Sequence, residues 1–350
     1  MSALPSLSVP YLSADAVAHL IAARGPATCM AEIAERIEAD FRRWGEFDKT
    51  PRVASHSPEG VIELMPVSDG RHYSFKYVNG HPKNQRVGLP TVLAFGVLAD
   101  VATGLPALLC DLTLTTALRT AAMSALAARV LARPDCRRMA VIGNGAQSEF
   151  QVLAFHRLLG IRECHLYDID PAATTKLMSN LARLGIVAKP FESTAAAVKG
   201  CDIVTTITAD KTNATILTPE MIEPGMHLNA VGGDCPGKTE LHRDILLRAG
   251  QVFVEYAPQT RIEGELQQMP DDFPAIEFWS VLDGSAAGRP TVDALTIFDS
   301  VGFALEDFSA LRWLQSVATQ PAALGLLPQL DEPRNLFGYL PLADCLPKAA

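Results

Sequence analysis

A glycine-rich turn between a short apolar run and a helical segment limits the folds open to this chain. Residues 138–142 (RMAVI) have the pattern of a strand, and residues 143–148 (GNGAQS) follow at once. The first glycine permits a tight turn, and Gly145 lets the backbone approach a pyrophosphate at the N-terminus of the next helix. Ser148 stands where a third glycine is usual, and it is small enough for close helix packing. The pattern predicts a dinucleotide-binding βαβ unit.

An acid after the next predicted strand favours NAD over NADP. Asp168 lies where a carboxylate accepts hydrogen bonds from the adenosine ribose hydroxyls. Residues 169–171 offer no arginine to receive a 2′-phosphate. The alternative is an ordinary strand-to-helix turn with Asp168 as a helix cap. Strand, turn, helix, strand and acid occur in order, however, so we expect bound NAD.

Apolar, β-branched runs alternate with helical segments from residue 139 to about residue 298. The predicted strands are residues 139–142, 164–167, 202–208, 227–231, 252–256 and 295–298. Strands separated in this way imply βαβ units in a parallel sheet. We therefore expect an α/β fold with a doubly wound, Rossmann-type domain over residues 131–300.

The part of the chain before this domain has a different pattern of predicted helices and strands. Helical spacing over residues 14–44 indicates one or two surface helices, and strands are expected at residues 61–66, 73–80 and 91–98. A long helix over residues 115–131 leads out of this α+β domain. After the last strand, residues 299–307 open a helix that runs to about residue 320. This helix returns the chain to the first domain. The first domain is thus residues 1–130, completed by residues 301–350.

Composition excludes several classes of function. Among 350 residues the formal net charge is −9, and no lysine and arginine cluster offers a face for nucleic acid. No leader peptide and no uncharged apolar run of about 18 residues is present, so we expect neither export nor a membrane. Seven cysteines are scattered singly, which favours reduced thiols in the cytoplasm. No ligand spacing indicates a metal.

The loop after the fourth predicted strand of this sheet carries one acid and one base, Asp234 and Lys238. In open α/β sheets, ligands bind beyond the carboxyl ends of the strands, where this loop would lie. Asp234 is equally compatible with a turn aspartate. Cys235 is better explained as a small thiol that fills space than as a nucleophile.

Four ionisable residues lie in or beside otherwise apolar or β-rich runs of the first domain: Arg52, Glu63, Lys76 and Arg119. Each alone is compatible with a solvated side chain. Lys76 stands out, because alternation places its side chain on the face of the strand opposite to Phe75 and Tyr77. Spacing does not join the four into one site.

Seven segments in order resemble the ornithine cyclodeaminase family, which also contains the mu-crystallins and some imine reductases. The segments are residues 52–56, 61–66, 75–82, 117–122, 142–150, 228–240 and 255–265. The resemblance runs from about Ala31 to Leu314 and is closest to the bacterial, proline-forming members. Motifs in this number and order are far more specific than the glycine turn alone.

The resemblance implies a role for each candidate residue. Arg52, Lys76 and Arg119 match the cations that hold the carboxylate of the amino acid, Glu63 matches an acid near its amine and a bound water, and Asp234 matches the catalytic carboxylate. Further residues match positions that line NAD. These are Thr91, Arg119, Gly143, Gly145, Ala146, Gln147, Asp168, Thr208, Leu228, Asn229, Ala230, Val231, Lys238 and Ser300.

The implied activity is conversion of L-ornithine to L-proline and ammonia, in ornithine or arginine catabolism and proline formation. A hydride leaves Cα to NAD⁺, the distal amine attacks the resulting imine with Asp234 as general base, ammonia departs, and the hydride returns. The enzyme is then an NAD-dependent ammonia lyase. The resemblance also implies a substrate-binding and dimerisation role for the first domain, and hence a cytoplasmic homodimer.

Three alternatives stay open at this stage. Cyclisation of L-lysine to pipecolate needs room for one more methylene, which separates two substrates by only about 1 to 3 kcal/mol. A cyclic imine reductase would consume NAD(P)H. A crystallin-like protein would bind a dinucleotide and a small ligand without turnover, but Asp234 and Asp168 both argue against it.

Overall fold

The computed structural model of the protein describes residues 8–209 and 214–325. Residues 326–350, which the predicted first domain includes, therefore lie outside the described part, as does Cys345. Within the described part, no helix has both the length and the apolar character needed to cross a membrane.

The described chain alternates short strands and helices. The strands are β1 (Val9–Leu12), β2 (Asp48–Lys49), β3 (Val53–Ser57), β4 (Gly60–Ser68), β5 (His72–Gly80), β6 (Val92–Asp100), β7 (Pro106–Asp111), β8 (Arg138–Ile142), β9 (Glu163–Tyr167), β10 (Val187–Pro190), β11 (Ile203–Thr206), β12 (His227–Ala230), β13 (Val252–Val254), β14 (Ala275–Glu277), β15 (Thr296–Asp299) and β16 (Ala322–Leu324). The helices are α1 (Ala14–Arg24), α2 (Pro26–Phe41), α3 (Thr113–Leu131), α4 (Ser148–Leu159), α5 (Pro171–Arg183), α6 (Thr194–Val198), α7 (Arg243–Ala249), α8 (Ala257–Glu263), α9 (Phe278–Leu282) and α10 (Ala304–Val317).

The first sheet is mixed, in the order β16-β1-β7-β6-β5-β4-β2, with β3 also paired to β4. Its antiparallel strands alternate strictly between two faces. Lys76 and Val78 of β5 point inward, whereas Tyr73 and Tyr77 point outward, which confirms the orientation predicted for Lys76. Helices α3 and α10 pack on the inner face, and α2 packs in turn against these two helices.

The second sheet is parallel throughout, in the order β10-β9-β8-β11-β12-β15-β13-β14. A separate apolar core lies on each face, with Met139 and Val141 of β8 in one and Ala140 and Ile142 in the other. Helices on both faces make this a doubly wound, Rossmann-type sheet, and the α/β fold class is confirmed. One of the cores continues under α3 into the first domain.

Helices form in both segments where they were predicted, residues 14–44 and 299–320, but two details differ. The helices over residues 14–44 are not simply surface helices, because α2 buries a whole face, including Met30, Ile33 and Ile37, under α3 and α10. The helix expected from residue 299 begins only at Ala304. Gly302 has φ of +75°, which a right-handed helix does not accept, so the helix cannot include this residue.

The predicted glycine turn joins β8 to α4. Gly143 has φ of +97°, and a Cβ there would lie 2.6 Å from the carbonyl oxygen of Ile207 and 2.9 Å from the nitrogen of Thr208. Its own N–H donates to the carbonyl of Tyr167 at 3.0 Å. The turn therefore contacts the ends of β9 and β11, and only glycine fits at its first position.

We expect Gly143→Ala to lower the free energy of unfolding by about 1 to 3 kcal/mol more than Gly185→Ala does. Gly185 has a similar φ, +72°, but nothing lies within 4 Å of an added Cβ. The control therefore isolates backbone strain from the clash. Urea unfolding measures both variants, and equal losses would show that the close approach of β11 costs nothing.

Candidate active site

The N-terminus of α4 has the features of a dinucleotide site. Nothing lies within 4 Å of a Cβ added at Gly145, so the space in front of the helix is open. Asp168, directly after β9, accepts hydrogen bonds from the N–H groups of Asn144 at 2.5 Å and Asp170 at 2.8 Å. Open space at a helix N-terminus with a carboxylate beside it suits a pyrophosphate and its ribose.

Side chains connect this turn to the loop after β12. Thr208, which lies against Gly143, accepts a hydrogen bond on its carbonyl from Nζ of Lys238 at 2.7 Å. Nζ of Lys238 also lies 3.5 Å from Oδ1 of Asp234. The Asp234 side chain is 53% exposed, so it faces open space at the carboxyl edge of the parallel sheet.

Two buried cations share one carboxylate at the inner face of the first sheet. Asp307, in the first turn of α10, has Oδ2 at 2.8 Å from Nζ of Lys76 and Oδ1 at 2.9 Å from Nε of Arg119. Glu306 binds Nη1 of Arg119 at 2.6 Å. In the described part of the chain these contacts leave Nη2 of Arg119 and two protons of Lys76 for a further acceptor.

Burial and mutual charge tune these groups. Burial, with Arg119 nearby, lowers the pKa of Lys76 to about 8, although Asp307 opposes the shift. Burial also lowers the pKa of Arg119, but the charges of Asp307 and Glu306 outweigh this effect and hold its pKa above the usual value. Burial raises the pKa of Glu306. The pair Lys76 and Arg119 is therefore a desolvated cationic site suited to a carboxylate.

Most of the hydrogen-bonding capacity of Arg52 is used within the protein. Its Nη1 donates to Glu63 at 3.1 Å, and Nη2 donates to the carbonyl oxygens of Val301 and Gly302. Its Nε lies 3.0 Å from Oε2 of Glu263. Of five donors, one proton on Nη1 and the N–H of Nε have no hydrogen-bond partner among the described residues.

Glu263 at the end of α8 is the second acid on the same guanidinium. It is 4% exposed, and burial raises its pKa to about 7, although Arg52 opposes the shift. The charges of Glu63 and Asp234 raise it further. These interactions show that Glu63, Glu263 and Asp234 lie around Arg52.

The loop after β15 brings the two sheets together. Glu255 accepts hydrogen bonds from the Ser300 hydroxyl and from the N–H groups of Val301 and Gly302. A Cβ on Gly302 would lie 2.7 Å from Nη1 of Arg119. Nε2 of Gln147 in the dinucleotide turn donates to the carbonyl oxygen of Ala117 at 2.8 Å, two residues before Arg119. The turn and the cations therefore lie side by side.

The structure also locates the other predicted site residues. Leu228, Asn229 and Ala230 are buried within β12, and the N–H of Val231 donates to Thr206 at 3.0 Å where the strand ends. Thr91 lies in the first domain, just before β6, and its carbonyl accepts a hydrogen bond from His81 at 2.8 Å.

Sequence analysis missed the acids that hold the cations. Glu255, Glu263, Glu306 and Asp307 are all buried in the site. Glu255 and Glu263 lie within one of the resembling segments, where they were not assigned a role. The available signal was the pair of acids Glu306 and Asp307 at the start of a mainly apolar helix.

Comparison with known proteins adds independent findings. The model of the ornithine cyclodeaminase/mu-crystallin family matches residues 16–320. An ornithine cyclodeaminase of Brucella suis biovar 1 (strain 1330) is 58% identical over 340 residues, which are 96% of this chain and 95% of that protein.

Two solved structures share the fold over nearly the whole chain. A lysine cyclodeaminase, described with recognition of L-lysine, L-ornithine and L-2,4-diaminobutyric acid, has a TM-score of 0.90 and 31% identity, covering 95% of this chain and 100% of that one. An archaeal alanine dehydrogenase dimer with bound NAD has a TM-score of 0.84 and 30% identity, covering 91% and 100%.

We expect Asp307→Asn to weaken binding of L-norvaline, an α-amino acid with an uncharged side chain, more at pH 8.5 than at pH 6.5. Asp307 raises the pKa of Lys76, so without it Lys76 loses its proton at lower pH than about 8 and no longer attracts the carboxylate. Calorimetric titration of L-norvaline into the NADH-bound protein measures the affinity. The loss of affinity in the variant should differ on the order of tenfold between the two pH values.

Asp40→Asn is the matched control for this experiment. Asp40 is equally buried and binds Arg312 at 2.9 Å, but it does not contact the site cations. A similar pH-dependent loss in both variants would mean that Asp307 acts only through stability.

Proposed function

The chain belongs to the ornithine cyclodeaminase/mu-crystallin family, and we propose that it is an ornithine cyclodeaminase, which converts L-ornithine to L-proline and ammonia with NAD as its cofactor. The observation that carries the proposal is one connected site. The dinucleotide turn contacts Thr208, Thr208 binds Lys238, and Lys238 lies beside Asp234. The negative charge of Asp234 in turn raises the pKa of both Arg52 and Glu263, which places the three groups near one another.

The residues present fit the cofactor. The pyrophosphate would lie at Gly145 and the N-terminus of α4, and the ribose of the adenosine at Asp168. Thr208, Val231, Lys238 and Ser300 would line the rest of the site. When bound, NAD⁺ supplies the reversible hydride acceptor for Cα of the substrate, so it is not consumed.

Positioning is the task of the cations. Lys76 and Arg119 would hold the substrate carboxylate between them, using the N–H donors that do not bind Asp307 or Glu306. Arg52 would donate its remaining Nη1 proton to the same carboxylate. A fixed carboxylate would hold Cα in one orientation, as hydride transfer to NAD⁺ requires. Glu63, beside Arg52, would lie near the α-amine.

Proton transfer is the task of Asp234. The distal ammonium gives its proton to this carboxylate, and the freed lone pair attacks the imine carbon at Cα. A carbon–nitrogen bond forms to close the ring. The proton then goes to the α-nitrogen, whose bond to carbon breaks, and ammonia leaves. The exposed position of Asp234 leaves room for both amines.

The direct test is ammonia release by the purified protein with catalytic NAD⁺ and, separately, L-ornithine, L-lysine or L-arginine. We expect ammonia and proline from ornithine, with no lasting absorbance at 340 nm. Stoichiometric NADH would indicate a dehydrogenase, and ammonia from lysine in preference would indicate pipecolate formation. No turnover with any of the three amino acids would indicate a binding protein without this catalytic activity.

Replacing Asp234 with Asn should lower turnover by about 10²- to 10⁴-fold, because general base assistance is lost while the shape of the site is kept. Fluorescence titration with NADH should give an unchanged affinity, since Asp234 is not among the residues that would hold the dinucleotide. A variant that keeps more than about a tenth of the activity would rule out Asp234 as the base.

We also propose that the protein is a homodimer. The outer face of the first sheet exposes Val53, Ile62, Leu64, Leu93 and Phe95, an apolar surface without a charged side chain among them. Contiguous apolar surface of this kind marks protein interfaces. The archaeal alanine dehydrogenase of the same fold is a dimer, which supports the proposal.

The cysteines support a cytoplasmic location. Cys29, Cys110, Cys136, Cys164 and Cys201 are buried free thiols. Thiols persist in reducing compartments, whereas exported proteins tend to oxidise theirs. Ornithine or arginine catabolism and proline formation would be the corresponding metabolic role.

Leu64→Lys should split the dimer into monomers, because each partner would then bury an unpaired charge at the apolar face. Size-exclusion chromatography with light scattering measures the mass. Val292→Lys is the control, since Val292 is 69% exposed but lies outside the first sheet. A Leu64→Lys variant that stays dimeric would place the interface elsewhere.

A further inference from the structure

Glu263 has a carboxylate oxygen that the protein does not satisfy. Its Oε2 lies 3.0 Å from Nε of Arg52, but the angle is not that of a hydrogen bond, and neither atom has a hydrogen-bond partner in the described part of the chain. The side chain is only 6% exposed. A buried, incompletely paired carboxylate is costly unless a ligand completes it.

The charges around Glu263 do not balance. Within residues 8–209 and 214–325, Arg52 is the one cation that contacts both Glu263 and Glu63, and Asp234 adds a third acid. Lys238 lies next to Asp234 and offsets that charge. One negative charge therefore remains in excess on the two buried acids that share Arg52. A bound proton or a bound cation must compensate it.

We propose that Glu263 is the specificity-determining acid that recognises the distal ammonium group of the substrate. The inference rests on the proposed function, because it assigns the side-chain end of the amino acid whose carboxylate Lys76 and Arg119 hold. An ammonium group at Glu263 supplies the missing charge and donates to the unsatisfied oxygen. Monoamino acids offer neither.

The three acids around Arg52 have different surroundings. Asp234 is 53% exposed and stands next to Lys238, which suits a group that exchanges protons. Glu63 makes a hydrogen bond of 3.1 Å with Nη1 of Arg52. Glu263 alone combines burial with an oxygen that lacks a hydrogen bond among the described residues. It is therefore the acid best placed to select a cation.

Binding should then depend on pH in a ligand-specific way. The groups that act on Glu263 are Arg52, Glu63 and Asp234, and burial raises its pKa to about 7. Below this pH a proton neutralises the acid, and above it the carboxylate is free for an ammonium group. Affinity for L-ornithine should rise relative to L-norvaline, which lacks the distal amine, between pH 6 and pH 7.5. The comparison cancels the effect of Lys76, because both ligands have the carboxylate.

The test is calorimetric titration of the protein with NADH, so that no hydride is transferred, using L-ornithine and L-norvaline at pH 6 and pH 7.5. In the wild type, we expect ornithine to be preferred by on the order of 10- to 100-fold at pH 7.5. Glu263→Gln should reduce this preference about tenfold and remove its pH dependence, while affinity for norvaline stays within about twofold. Glu263→Asp should restore part of the preference.

Glu32→Gln is the matched control, since Glu32 also pairs with an arginine, at 2.7 Å from Nε of Arg24, outside the site. Equal losses for both ligands in Glu263→Gln would make Glu263 only a support for Arg52 and overturn the inference, as would an unchanged preference. Proline formation is a separate readout. If the wild-type protein prefers ornithine, loses this preference in Glu263→Gln and yet makes no proline, the inference about Glu263 stands and the proposed function is contradicted.

Discussion

Buried carboxylates that bind backbone N–H groups hold the loops at the carboxyl edge of the parallel sheet. Asp299 accepts the N–H groups of Glu265 and Leu266 at 2.9 Å, and Glu265 in turn accepts those of Glu240 and Leu241. Buried N–H groups outside strands and helices need such partners, and hydrogen bonds to charged groups contribute about 1.5 to 3 kcal/mol each. Each acid thus anchors the loop that carries the next one, and the site residues depend on this chain of contacts.

The same loops carry the chemistry. Glu240 accepts hydrogen bonds from the N–H and hydroxyl of Thr208, which fixes the residue against which the dinucleotide turn packs. The loop that Glu265 holds also contains Asp234 and Lys238. Burial raises the pKa of both Glu265 and Asp299, and the N–H groups that donate to them oppose this shift by stabilising the carboxylate form.

Sequence reasoning succeeded where the signal is local. The glycine turn, the alternating strands and the inward orientation of Lys76 each follow from a few neighbouring residues, and the Rossmann-type sheet was predicted from them. The partners of the cations could not be predicted in this way. Arg119 and Asp307 are separated by 188 positions, and Arg52 and Gly302 by 250. Only folding brings an acid in a late helix to a lysine in an early strand, so Glu263 and Asp307 look like ordinary helix acids.

Arg52 has a different physical role from the other two cations. Lys76 and Arg119 are held by two neighbouring acids of one helix, Glu306 and Asp307. Arg52 instead binds Glu63 from the first sheet and Glu263, Val301 and Gly302 from the second part of the chain. Its backbone N–H also donates to Gln259 at 3.1 Å. A planar guanidinium holds several acceptors in fixed directions. Arg52 therefore links the first sheet to the loop after β15 and to α8, at the place where the proposed substrate residues lie.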